Sequence, residues 1–168
     1  MKNSSAEVLD EYGPFPGVES VHGVSWDGQY VWFATGETLN VLDPADGRAV
    51  RSIDVAADAG TAFDGKHLYQ IAESQIHKID PATGEVLNSI PAPGGGNDSG
   101  MTWAEGSLWV GEYRERKIHQ IDPANGKILR TLESNRFVTG VTWVEGQLWH
   151  ATWEGDESEL RQVDPTSG

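Results

Sequence analysis

Short runs of apolar and β-branched residues alternate with turn residues along the whole chain, and no window sustains a helical period. The third quarter shows the pattern best. Gly100-Met101-Thr102-Trp103 reads as a strand, Glu105-Gly106 as a tight turn, and Ser107-Leu108-Trp109-Val110 as the returning strand. Lys117 to Ile121 makes a third strand. The turn Asp122-Pro123-Ala124-Asn125-Gly126 follows, with proline presetting φ and glycine taking the left-handed position, before a fourth strand over Lys127 to Leu132.

This unit recurs. Asp43-Pro44, Asp80-Pro81, Asp122-Pro123 and Asp164-Pro165 mark successive copies, with aspartates 37, 42 and 42 residues apart. A glycine opens each copy at Gly23, Gly60, Gly100 and Gly140, and a second turn glycine follows in Asp27-Gly28, Asp64-Gly65, Glu105-Gly106 and Glu145-Gly146. Four antiparallel strands per repeat of about 40 residues predict an all-β fold, a β-propeller of four-stranded blades. The chain of 168 residues reads as one domain, with repeats at about 23–59, 60–99, 100–139 and 140–168.

The fourth copy reaches Asp164-Pro165-Thr166-Ser167-Gly168, the turn before its last strand, while Glu7 to Tyr12 aligns with the last strands Glu85 to Ile90 and Lys127 to Leu132. The strand at 7–12 is therefore expected to complete the last blade and remove an open edge. Three arrangements meet that expectation: a closed four-blade ring, a ring shared between chains by strand exchange, or part of a larger propeller.

Periodicity also accounts for most of the conspicuous side chains. Trp26, Trp103 and Trp143 share one repeat position with Phe63, and Trp32, Trp109 and Trp149 share another with Tyr69, as expected of aromatics that fill the space between blades. Trp153 alone among the seven tryptophans lies outside the repeat. His77 and His119 occupy one third-strand position and read as solvent-facing. His22, just before a first strand, and His150, on a second strand, are candidates to face a central channel.

Charge narrows the partners. With 26 acidic and 12 basic residues the net charge of −14 disfavours nucleic acid and anionic membrane surfaces. There is no cysteine, which excludes disulfides and thiolate metal sites. The start of the chain lacks the apolar core of a secretion signal, compatible with a cytoplasmic chain or with an exported one whose leader has been removed.

Ligand sites on repeat scaffolds gather where the copies differ, which here is the face built from the fourth-to-first and second-to-third strand loops. Its candidate binding residues are His22, Asp98, Tyr113, Arg114, Arg136, His150, Trp153 and Glu154, suited to a small molecule or a peptide or protein segment. Glu73 and Glu112 are the candidate proton carriers should the protein be an enzyme. The loop Pro93 to Ser99 lacks the strand-to-helix context of a phosphate loop. No nucleophile or zinc motif is present, and no cofactor is called for. The run Glu154 to Glu159 offers hard oxygen ligands of the type a divalent ion such as calcium takes, without EF-hand spacing.

Gly106 to Ile128 and Gly146 to Gly168 resemble the YVTN and quinoprotein-type propeller repeat "dG..lW......I..IDP.tG.v". The pattern is also similar to that of the glutamine cyclotransferase propellers, which form N-terminal pyroglutamate. Their fourth-blade "G.iwaNvW.tD.i..IdP.tG" is similar to Gly146 through Trp153 to Gly168, with Ala151 in place of asparagine. Their second-blade "lYqltW" is similar to Leu68 to Glu73, with Glu73 in place of tryptophan, and the third-blade "SDG" falls at Gly111-Glu112-Tyr113. Where that family reads "lyEStG" and carries a glutamate for proton transfer, this chain has Trp32-Phe33-Ala34-Thr35-Gly36. Val31 to Thr35 and Glu112 to Arg114 resemble the virginiamycin B lyase repeat, whose metal-binding catalytic residues find no match. The sequence thus favours a non-catalytic binding propeller, with a cyclotransferase-like enzyme as the alternative and a metal-assisted lyase as the second.

Overall fold

Fifteen strands and no helix make up the described part of the chain, residues 8–166 of a computed structural model. The first blade comprises β1 (Gly23–Trp26), β2 (Val31–Ala34), β3 (Leu39–Asp43) and β4 (Arg48–Ile53). The second comprises β5 (Thr61–Phe63), β6 (Leu68–Ala72), β7 (Gln75–Ile79) and β8 (Val86–Pro91). The third holds β9 (Asp98–Ala104), β10 (Ser107–Glu112), β11 (Lys117–Ile121) and β12 (Ile128–Glu133), and the fourth β13 (Phe137–Val144), β14 (Gln147–Glu154) and β15 (Glu157–Val163). Each sheet is an antiparallel meander in chain order. The four sheets are the blades of a β-propeller, with β1, β5, β9 and β13 innermost around shared cavities.

The Asp-Pro turns explain why the third and fourth strands pair as they do. In the first three blades the glycine four residues after the aspartate sits at positive φ (71° at Gly47, 80° at Gly84, 75° at Gly126). Its amide donates back to the aspartate carbonyl at 2.8 Å in each case. The aspartate side chain takes the amide two residues on, at 2.9 Å for Asp43, 2.7 Å for Asp80 and 2.9 Å for Asp122. The five-residue turn displaces the ladder by one, and the register shifts at the same place in each of these blades.

The first hairpins come in two lengths. Trp26 pairs with Val31 and Phe63 with Leu68 across four-residue loops, whereas Ala104 pairs with Ser107 and Val144 with Gln147 across two. Asp27-Gly28 and Glu105-Gly106 are therefore not equivalent, contrary to their alignment in sequence. In the short loops both residues adopt positive φ, as the two-residue hairpin demands: 51° and 74° at Glu105-Gly106, 50° and 80° at Glu145-Gly146. In the long loops the aspartate supplies the acceptors: Asp27 takes the amides of Gln29 and Tyr30, at 2.8 and 2.7 Å, and the Trp32 indole N–H at 2.6 Å.

Packing is concentrated between blades. One buried cluster joins Trp32, Leu39 and Ile53 to Leu68 and Ile79, a second joins Tyr69, Ile76 and Ile90 to Leu108 and Ile121, and a third joins Trp109, Ile118 and Leu132 to Leu148. Each such side chain contributes about 1.5–3 kcal/mol by leaving water. Tyr69 stacks with Trp103 and Trp109 lies against Trp143, at centroid distances of 5.5 and 5.9 Å, so the repeated aromatics are junction packing as their period implies.

The fourth blade has three strands among the described residues, and the segment expected to complete it lies elsewhere. Residues 8–12 form no strand and do not pair with β15; Glu7 falls outside the described residues. Tyr12 fixes the segment beside the first blade, where its hydroxyl donates to Pro44 O at 2.7 Å. The strand-completing arrangement within one chain is therefore not formed.

Candidate functional site

The residues singled out on the loop face fall into one connected strip and three outliers. The strip begins at Glu73, exposed at the two-residue turn between β6 and β7, where its backbone has φ 55° and its amide donates to Asp58 Oδ2 at 3.0 Å. Its carbonyl lies beside Gly96, in the loop that leads into β9. Asp98, the first residue of β9, gathers that loop by accepting the amides of Gly94 at 2.8 Å and Gly96 at 3.4 Å.

Opposite Asp98 across the strand pair is Glu112, the last residue of β10. Burial pushes the Asp98 carboxyl above its ordinary range, and the neighbouring Glu112 pushes in the same direction, while the Gly94 and Gly96 amides oppose both. Glu112 is itself buried, and its Oε2 lies 3.0 Å from His119 Nε2; the other ring nitrogen of His119 lies 2.9 Å from Thr131 Oγ1. His119, expected at the surface, is thus enclosed with a partner at each nitrogen. Its repeat-mate His77 is half-buried and meets Ser89 Oγ at 2.7 Å. The alignment could not separate the two, because a carboxylate in reach of the ring, Glu112, is what draws one of them inward.

From Glu112 the strip continues into aromatics. Tyr113, tied to the preceding loop by its amide to Asn97 O at 2.9 Å, stacks on Phe137 with centroids 4.9 Å apart. Phe137 in turn lies 6.4 Å from Trp153, its register partner on β14. The Arg116 guanidinium sits 4.6 Å from the Phe137 centroid, donates to Asn135 O at 3.0 Å and pairs with Glu154 Oε1 at 3.2 Å. Arg136 pairs with Glu157 at 2.9 Å and Glu159 at 3.5 Å. Carboxylates of the acidic run thus face guanidinium groups. Among the described residues no group of three or more His, Asp or Glu is gathered to hold a metal ion.

Two polar atoms at the end of the strip are buried without a hydrogen-bond partner, Glu154 Oε2 and Arg136 Nη1. Buried polar atoms without a partner cost stability. Trp153 beside them is 45% exposed. Arg116 and Phe137 were not singled out in sequence. Both stand in the variable loop segments, but nothing in the string shows that a guanidinium would cover a ring.

The outliers are His22, Arg114 and His150. His22 lines the mouth of the central cavity, about 200 Å³ in volume, and meets Ser20 Oγ at 2.9 Å. Arg114 is exposed. His150 does not face the channel: it is buried on β14 and lines a groove of about 550 Å³ with Asn135, Arg161 and other residues of the β15 edge. Burial and then the Arg161 charge hold its pKa below the ordinary histidine value against the opposing Ala151 backbone, and among the described residues its Nδ1 has no hydrogen-bond partner.

Neither family models nor curated proteins match this sequence. Solved structures do match the fold. Glutaminyl cyclase of Myxococcus xanthus superposes with a TM-score of 0.73 at 16% identity over 88% of this chain and 67% of its own. Virginiamycin B lyase from Staphylococcus aureus superposes at 0.65 with 18% identity over 92% and 58%, and the computationally designed Ika4 protein at 0.61 with 14% identity over 95% and 99%. The chain therefore spans about two thirds or less of the two enzymes' length and nearly all of the designed protein. At these identities the likeness establishes the propeller fold alone.

Proposed function

We propose that the protein is a binding propeller whose loop face, between the third and fourth blades, takes a peptide segment or small molecule bearing a flat apolar group. The observation that carries this reading is the row Tyr113, Phe137 and Trp153, ending at the exposed Trp153. An aromatic side chain of the ligand covers Trp153. The test is capture on an array of random peptides, repeated with Trp153→Ala. Loss of an exposed aromatic anchor is expected to weaken binding about tenfold or more. Capture that is indifferent to Trp153→Ala would remove this face from consideration.

A second reading rests on the paired carboxyls Asp98 and Glu112. Asp98 and Glu112 face each other across the strand pair, and burial raises the Asp98 carboxyl above its ordinary range, so the two carboxyls could pass a proton between them. A cyclotransferase-like reaction on a peptide beginning in glutamine would form a bond from the α-amine nitrogen to the side-chain amide carbon and break the bond to ammonia. The carboxyls would move the amine proton to the leaving group. Mass spectrometry for loss of ammonia tests it, with Glu112→Gln and Glu73→Gln as variants. Turnover abolished by Glu112→Gln would favour the enzyme; none above the uncatalysed rate would leave the binding reading alone.

A further inference from the structure

The three internal junctions repeat one set of contacts, and half of that set is displayed on each of the two outer blades. At every junction the glycine opening one blade lies against the inner strand of the next. A Cβ on Gly23 would stand 2.5 Å from Ala59 O, and one on Gly60 2.5 Å from Met101 N; one on Gly100 would collide with Val141 N. Among the described residues, one on Gly140 would meet only Ala151 of its own blade, at 3.8 Å. Similarly, Phe63 packs into the cluster of Trp32, Trp103 covers Tyr69 and Trp143 covers Trp109. The unmatched members are Trp149 on the fourth blade and Trp26 on the first, which is 51% exposed. Leu160 is 69% exposed, although its counterparts Leu39, Ile76 and Ile118 are at most 2% exposed.

The segment before the first blade is placed to match. At the made junctions the turn glycine of one blade abuts the end of the previous blade's fourth strand: a Cβ on Gly84 would lie 2.9 Å from Ile53, and one on Gly126 3.4 Å from Ile90. On Gly47 it would lie 2.6 Å from Tyr12, the residue that aligns with Ile53 and Ile90. Residues 8–12 therefore stand where the fourth strand of a preceding blade belongs, unpaired. Transferring the β11–β12 register to β15 sets Tyr12 opposite Leu160, Glu11 opposite Arg161 and Val8 opposite Val163, which matches apolar with apolar and acid with base.

From this complementarity we infer that a second copy of the chain docks its fourth blade on this first blade, and receives the reciprocal contact, so that two chains close one ring of eight blades. Residues 8–12 of each chain add the fourth strand to β15 of its partner. A single chain does not use these surfaces on itself: β1 and β13 share no interface comparable to those of β1 with β5 or β9 with β13. The contact is head-to-tail, so it closes only if the rotation fits two copies.

The mass of the 168-residue chain in solution tests the inference, measured by light scattering across a concentration series in about 0.15 M salt to screen its charge. The expected result is one species at twice 18.3 kDa. Leu160→Asp and Trp26→Ser should each weaken association at least tenfold. Both side chains are exposed within one chain, so each variant should still unfold cooperatively. A wild-type mass of a single chain, an open-ended series of larger masses, or a dimer that both variants leave intact would each overturn it.

Discussion

His150 illustrates how far one buried side chain can set a solution property. Its repeat-mates Phe33, Gln70 and Val110 are buried too, and it alone among them can take a proton. Because burial holds its folded pKa below the ordinary 6.5, the unfolded chain protonates first as pH falls. Stability from this residue is thus complete above about pH 6.5 and declines as the pH drops from there toward the folded value. Asp64 acts in the same direction at lower pH. Burial raises its pKa, but the amides of His67 and Lys66 and the His67 ring outweigh that, so its contribution is present above 3.8 and lost below it. In His150→Gln, which copies the second blade, the decline between pH 6.5 and 5 in urea unfolding midpoint is expected to flatten; an unchanged slope would show that other groups govern it. At this scale the sequence was least legible. Spacing nominates Glu112, Tyr113 and Trp153 for the loop face, but it makes His119 a twin of His77 and does not show that Glu112 lies 3.0 Å from the His119 ring. Such contacts depend on which carboxylate the fold brings near, and no periodicity encodes that.

Strands and turns were far more legible. The third strand expected at Lys117 to Ile121 is β11 as observed, and the Asp-Pro turns behave as their residue types require. The misalignment of Asp27-Gly28 with Glu105-Gly106 has a physical origin: the two hairpins keep the same number of residues between Trp26 and Trp32 as between Trp103 and Trp109, but spend them differently. An aspartate right after the first-strand aromatic caps a four-residue loop, whereas alanine there lets the strand run on to a two-residue turn. The indole N–H of Trp109 is left buried without the acceptor that Asp27 gives Trp32. Asp27→Ala should therefore cost about 1–3 kcal/mol by stranding the Trp32 indole N–H, and lower Tm by roughly 2–4 °C per kcal/mol, read by calorimetry. Glu105→Gly should do the opposite by about 0.5–1 kcal/mol, since relief of the left-handed backbone, about 1–2 kcal/mol, outweighs the freedom glycine adds to the unfolded chain, about 0.5–1 kcal/mol. A stabilising Asp27→Ala would refute the capping role.

For the whole molecule, a repeat of about 40 residues was enough to foresee a propeller, and the aromatic positions foretold its junctions. What the string could not settle was how the ends are used. Matching Glu7 to Tyr12 with the fourth strands led to the expectation of a strand on the last blade; residues 8–12 instead form no strand, and Tyr12 lies beside the first blade against Gly47 and Pro44. The proposed loop-face site does not depend on how the ring closes, since its residues come from adjacent blades already packed together, whereas the open surfaces of Trp26 and Leu160 do. Hydrogen exchange at residues 8–12 reports on that closure most directly. If the segment completes β15 of a partner, its amides should exchange slowly, as those of β12 do, and the protection should fade on dilution. Rapid exchange at every concentration, or protection that dilution leaves untouched, would contradict a fourth junction made between two chains.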